Sequence, residues 1–482
     1  MPNCMRYVTW IAPVMTLALV APPLPGQRPE QLSQQTRERY VAVTDSVVAL
    51  THVKVIDGTG AAPKDDQTII IRGNRIAEVG PASRVRTPAG ARVMELRGHT
   101  VIPGLVGMHD HLFYTAAGGR AVQMGFTGPR LYLGSGVTTI RTTGGRSPYA
   151  EINTKAAIDS GRIPGPRVHL TAPYITGGDG SGSMAAIHSP EAARRFVAYW
   201  AAEGMTWIKA YTDISRADLG AAIDEAHKRG MKATGHLCSV SFQEAVDLEI
   251  DNLEHGMLVA SDFAANKEAD TCPANATVSV AQANPTGPEA QAVIKKMVDN
   301  KVSMTSTLAV FEPFVPGRPT KDERTLEAMA PDLRTAYMRV RSELDSGKIK
   351  TPFTDSVFKR AMAFEKAFVD AGGLMASGVD PTGIGGALAG YGDQRNYELF
   401  IEAGFTPQQA VQIMTLNGAK ILGVDDRLGT VAAGKLADLA VLNGDLTSNA
   451  SVIRNVTTVF KDGVGYDSAK LLAAVKGRVG ID

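Results

Sequence analysis

The stretch P-G-L-V-G-M-H-D-H-L-F-Y, residues 103–114, places His109 and His111 two positions apart, after an apolar run and before an aromatic pair. In an extended strand, side chains at i and i+2 leave the same face. Both imidazoles therefore project together from one strand end.

The same kind of strand recurs outward along the chain. V-T-T-I-R-T-T-G (137–144), R-V-H-L-T-A-P-Y (167–174), W-I-K-A-Y-T-D (207–213), K-A-T-G-H-L-C (232–238), N-L-E-H-G (252–256), V-S-M-T-S-T-L-A (302–309) and L-M-A-S-G-V-D-P (374–381) are compact apolar runs. Helical patterns lie between most of them, among them 150–161, 189–204 and 215–230. With the opening stretch this gives eight strands alternating with helices, the count of an α/β (β/α)8 TIM barrel over residues 103–423. An open doubly wound sheet is the runner-up, and no G-x-G-x-x-G turn supports it. Two stretches exceed a simple barrel, about 258–287 and 320–372, each either a lid over the site or solvent-facing decoration.

Shorter strand patterns flank this middle. V-V-A-L-T-H-V-K-V-I-D-G (47–58), Q-T-I-I-I-R-G-N-R-I-A-E-V-G (67–80) and R-V-M-E-L-R-G (92–98) precede it; 428–445 and 456–467 follow. R-G-N-R (72–75) reads as a hairpin turn. Residues 46–102 and 424–470 are thus expected to build one small composite β-sandwich domain from both termini.

Composition fits a soluble globular enzyme, with 44% hydrophobic and 21% charged residues. The 50 basic and 49 acidic residues nearly cancel, and no Lys/Arg run stands out, which leaves a nucleic-acid partner without support. The first residues differ: one early basic residue, Arg6, an apolar core from Tyr7 to Ala21, then a Pro-rich exit. That layout predicts a signal peptide over 1–26 and a secreted or periplasmic protein. The core is short for a retained membrane anchor, and no later segment is apolar enough to span a bilayer. Cys4 precedes the core and is badly placed for lipid attachment. Export favours pairing of the two other cysteines, Cys238 and Cys272, as a disulfide.

The polar residues at the C-terminal strand ends fall on the face where barrel active sites sit. His109 and His111 end the first strand, Lys209 the fourth, His236 the fifth, His255 the sixth and Asp380 the eighth. A lone histidine there is more often structural; four of nine, with a lysine and an aspartate on one rim, read as a metal site.

In these pieces, G-L-V-G-M-H-D-H, W-I-K-A-Y-T-D, T-G-H-L-C-S, N-L-E-H-G and S-G-V-D-P-T-G, the chain resembles the amidohydrolase superfamily. Within it the likeness is to the imidazolonepropionase-like and metal-dependent dipeptidase group, including ochratoxin-type amidases. L-N-G-A-K-I-L-G-V-D-D-R-L-G-T-V-A-A-G-K-L-A-D-L-A-V-L (416–442) matches the return from barrel to small domain, and the match spans about Val47 to Asp467. The resemblance implies two divalent ions, zinc by default with manganese or cobalt as alternatives. His109, His111 and Asp380 would hold one, His236 and His255 the other, and Lys209, carboxylated on its amine, would bridge them. Ions about 4 Å apart share a bridging hydroxide that attacks a C–N bond. A buried amine, disfavoured as a cation, is suited to capturing CO2. Asp380 would also carry the proton to the leaving nitrogen.

Arg141 and Tyr211, near strand ends, are candidate substrate contacts, with Tyr114 and His188 as further ones. The glycine-rich loop after the third strand reads Y-I-T-G-G-D-G-S-G-S-M (174–184), with Asp179 where dipeptidase-like relatives carry a histidine. An aspartate repels a free carboxylate unless something screens it. This disfavours ordinary dipeptides and leaves neutral amides, carbamates and amine-bearing substrates open. The expected partner is a small amide or peptide-like molecule, and a homo-oligomer is left open. Carbamate or cyclic-amide hydrolysis is an alternative. So is deamination, which Ser239 (where deaminases carry a glutamate) and the presence of Lys209 disfavour. A different class, a non-catalytic exported metal-binding protein, is disfavoured by the intact ligand set.

Overall fold

The computed structural model describes residues 31–178, 184–318 and 322–481. The signal-peptide reading, with Cys4 and Arg6, and the Asp179 position lie outside the described residues.

A parallel sheet organises the middle of the chain. Its principal strands are β1 (Leu105–Asp110), β2 (Val137–Thr142), β3 (Thr171–Thr176), β4 (Trp207–Ala210), β5 (Lys232–Gly235), β6 (Asn252–Glu254), β7 (Ser303–Ser306) and β8 (Met375–Ser377). Every pairing among them is parallel, running β2–β1–β8–β7–β6–β5–β4–β3. A short segment, Arg167–His169, pairs with β2 and is separated from β3 by Leu170 alone. The third sequence strand thus divides at Leu170, its first half bonding to β2 and its second to β4. Parallel strands need covered faces. Accordingly β1, β2, β3 and β4 are buried at every residue, and Ile140, Ile175, Ile208 and Leu253 join one large apolar cluster with the surrounding helices.

Helix starts follow local chemistry. Ser189 accepts a hydrogen bond from the Ala192 N–H with Pro190 in the first turn, and Ser215 caps Arg216–Lys228 through the Asp218 N–H. The 320–372 stretch carries three helices, Glu323–Ala328, Pro331–Asp345 and Asp355–Asp370. Among the described residues no helix is long and apolar enough to cross a membrane.

Strands from both ends of the chain form a second, mixed sheet of nine strands. Asn443 to Leu439 runs antiparallel to His99–Pro103, and the Gly73-Asn74 turn closes the hairpin with Arg72 opposite Arg75. Strands from the two flanking segments therefore pair with one another. Hydrogen bonding joins the strands of this sheet along one path, with one strand branching from it. Val48, Leu50, Ile69, Ile71, Val101, Leu439, Val441 and Phe460 share its apolar core.

Candidate metal centre and active site

Strand geometry gathers the six rim residues. His109, in β1, and His111, one residue past its end, both line one cavity, and each is almost wholly buried. Asp110 between them faces the other way, and its Oδ1 accepts the Val379 N–H at 3.0 Å, tying β1 to the segment after β8. Gly378 permits that approach: a Cβ there would collide with the His109 backbone. The Asp380 N–H then donates to the His109 carbonyl at 2.7 Å. Asp380 and His255 both sit in the left-handed backbone region, φ 48° and 69°. Such conformations cost roughly 1–3 kcal/mol each and cluster at functional sites. Here they turn both side chains inward.

The donor atoms converge. Asp380 Oδ1 lies 3.3 Å from His111 Nε2, and its Oδ2 lies 3.6 Å from His109 Nε2 and 3.8 Å from His255 Nδ1. The His255 ring centroid is 4.4 Å from that of His109 and 4.2 Å from that of His236. One donor from each of His109, His111 and Asp380 falls within a 4.8 Å spread, a cluster able to hold a metal ion. Lys209, 1% exposed, has no hydrogen-bond partner for its Nζ among the described residues.

Supporting contacts fix which nitrogens face inward. The Gly144 carbonyl lies 3.1 Å from His111 Nδ1 and can only accept, so the proton sits there and Nε2 is free. The Glu254 carboxylate does the same for His109 Nδ1 at 2.7 Å. Burial, then the nearby Lys209 charge, holds His109 well below the usual imidazole range and His236 down to about 3. Burial, then His236, lowers His255. Burial likewise brings Lys209 down to about 8 against the pull of Glu254. For Asp380, burial acts upward, but His109 and His111 outweigh it and hold the carboxyl well below its usual range. Neutral imidazoles, an ionised carboxylate and a readily deprotonated amine are the states metal ligation requires.

The site opens into a cavity of about 310 Å³. Tyr211 lines it, its ring 4.8 Å from that of His236. The other three substrate candidates do not reach it. Arg141 is fully buried beneath the histidines, bonded to the Met108 carbonyl and Glu254 and packed 4.4 Å over the Trp207 ring. Its place in the middle of the V-T-T-I-R-T run turns it inward and below. Tyr114 is buried behind the rim, donating to the Gly385 carbonyl at 2.9 Å. His188 is exposed, away from the cavity.

Sequence reading missed four features. Glu254 accepts from Thr234, Asn252, Arg141 and His109; a carboxylate beside a strand-end histidine inside an apolar run was its available signal, since a buried charge needs partners. Tyr174 puts its hydroxyl 3.4 Å from His111 Nε2. Arg146 and a cluster of phenylalanines also line the cavity.

Cys238, two residues after His236, is disulfide-bonded to Cys272 with Cα atoms 4.9 Å apart. The bond ties the 258–287 stretch to the end of β5. With a sequence separation of 34, chain-entropy arguments give it about 4 kcal/mol of stability. Non-reducing peptide mapping is expected to recover the linked pair; two free thiols would contradict it.

The sequence profile of the amidohydrolase family matches residues 100–465. The chain belongs to this family, and it is a hydrolase acting on carbon–nitrogen bonds. No curated protein matches its sequence. Among solved structures it is similar to a Xaa-Pro dipeptidase with methionine bound in the active site: 21% identity, TM-score 0.64, covering 88% of this chain and 100% of that one. It is similar too to molinate hydrolase, at 18% identity and TM-score 0.64 over 88% and 95%. A third is ochratoxinase of A. niger, at 16% identity and TM-score 0.60 over 87% and 95%. At these identities the likeness is one of fold.

Proposed function

We propose that the chain is an exported, binuclear metal-dependent amidohydrolase cleaving an amide or peptide-like bond. In this reading His109, His111 and Asp380 would hold one divalent ion, His236 and His255 would hold the second, and Lys209, carboxylated on Nζ, would supply an anionic ligand shared between them. Zinc suits so imidazole-rich a set, with manganese or cobalt as alternatives. The observation that carries the reading is Lys209 Nζ, buried beside the histidine cluster and without a hydrogen-bond partner among the described residues. An ammonium left there has no hydrogen-bond acceptor among the described residues, whereas a carbamate would make it an anion suited to neighbouring cations.

Ions held there would supply a water ionised near neutral pH and polarisation of the scissile carbonyl. The remaining work falls to the chain. Asp380, steadied by the Thr382 hydroxyl at 2.8 Å, takes a proton from the attacking water and delivers it to the leaving nitrogen. Burial, then Asp380, keeps the Tyr211 phenol protonated by pushing it up to about 12, so it is available to donate to a substrate oxygen.

The eight parallel strands are read as a (β/α)8 barrel over 103–423, with the halves of the third strand serving both neighbours. Residues 46–102 and 424–470 form the accompanying small domain. Removal of residues 1–26 on export suits the disulfide, because paired cysteines persist in oxidising compartments. A screen of N-acyl amino acids, dipeptides, aryl amides and carbamates, run with and without chelator, tests the activity. Chelator-sensitive turnover of at least one amide is expected; no turnover by metal-loaded protein would overturn the reading.

A further inference from the structure

The cavity around the metal cluster has two chemically different ends. At the His111 end, Phe113 packs against that imidazole with centroids 4.4 Å apart, and the Arg146 guanidinium lies 5.4 Å from the Phe113 ring centroid. At the His255 end, Phe311 meets that imidazole edge-on at 5.5 Å. Phe353, carried by the 320–372 stretch, packs 5.2 Å from Phe311 and 5.6 Å from Phe314. His111 and His255 flank His109, at 5.4 Å and 4.4 Å. The arginine and the aromatic wall thus bracket the reacting centre.

Arg146 is half-buried and lines the cavity, and no carboxylate among the described residues pairs with it. Asp380, a proposed metal ligand 3.3–3.8 Å from three imidazoles, is the one carboxylate among the described lining residues. A guanidinium is planar, permanently charged and matched to a carboxylate. Contact with Phe113 orients it from one side through its apolar stem and cation–π attraction, leaving its donors for a ligand.

We propose that Arg146 is a specificity-determining residue that anchors a substrate carboxylate, while Phe311, Phe314 and Phe353 hold a bulky apolar group on the far side of the scissile bond. The substrate class is an N-acylated amino acid with a large apolar or aromatic acyl group, and this rests on the hydrolase reading above. The 320–372 stretch, through Phe353, forms part of the substrate wall.

The test measures calorimetric binding of N-phenylacetylglycine and of its neutral carboxamide to the full metal-loaded chain. Charge-assisted hydrogen bonds are worth about 10- to 100-fold in affinity, so wild type is expected to prefer the acid by about tenfold or more. In Arg146→Ala that preference should fall to near unity, with metal content and circular dichroism confirming an intact fold. Arg146→Lys should restore part of it, and Phe353→Ala should weaken both probes alike. Equal affinity for acid and amide in wild type, or an undiminished preference in Arg146→Ala, overturns the proposal. Because the readout is binding, failure to turn over any amide would overturn the hydrolase reading and leave this result standing.

Discussion

Metal-loaded Asp380→Asn protein is expected to hydrolyse ordinary amides about 10²–10⁴-fold more slowly than wild type, the usual worth of a general acid/base. Asp380 sits where both of its roles are feasible, its two oxygens within 3.3–3.8 Å of three imidazoles. The substitution separates those roles. If Asp380 only holds metal, excess metal should return most of the rate. If it also moves a proton, the amide side chain cannot accept one, and the loss should persist at saturating metal. The loss should shrink for nitrophenyl esters or activated anilides, whose leaving groups need less protonation. Rates measured on both substrate types with metal content checked decide the matter. Near-normal amide turnover by the metal-loaded variant would leave Asp380 a ligand only.

Lys209→Ala is expected to lose metal and rate together, and to regain part of both from a short carboxylic acid. Truncation removes the proposed bridging anion and leaves two cations facing one another, whose repulsion lowers occupancy. Lys209 is enclosed by β4 and its neighbours at 1% exposure, so the space left behind is defined. Acetate or propionate would place a carboxylate there. Metal analysis and rate, each titrated with acid, provide the check. Full metal and full rate in Lys209→Ala without added acid would exclude Lys209 as the bridge.

Much of the site was legible because it depends on strand ends. Two histidines at i and i+2 must share a face in any strand, and lysine, histidine and aspartate at the ends of parallel strands must meet on one rim. Other parts were hidden for physical reasons. Arg141 and Arg146 lie five residues apart around the end of one strand. The first belongs to the strand and is buried among charges beneath the histidines, whereas the second follows the Gly144-Gly145 turn into the cavity. Nothing in the local pattern says which side of the rim each takes. Phe353 comes from a stretch that the alternation of strands and helices does not explain, so its partners Phe311 and Phe314 could not be foreseen. The left-handed backbone at His255 and Asp380 likewise arises from tertiary contact. Leu170, which divides the third strand between two neighbours, carries no local mark of doing so.

The central claim, a pair of ions serving C–N bond hydrolysis, is tested most directly by titrating chelator-stripped protein with zinc or manganese and following amide turnover against bound metal. Turnover should be absent in the stripped protein and rise to a plateau near two ions per chain, the stoichiometry expected of a two-metal site. His109→Ala and His255→Ala should each fail to reach that occupancy. A stripped protein that retains its full rate, or a rate complete at a single bound ion, would contradict the account.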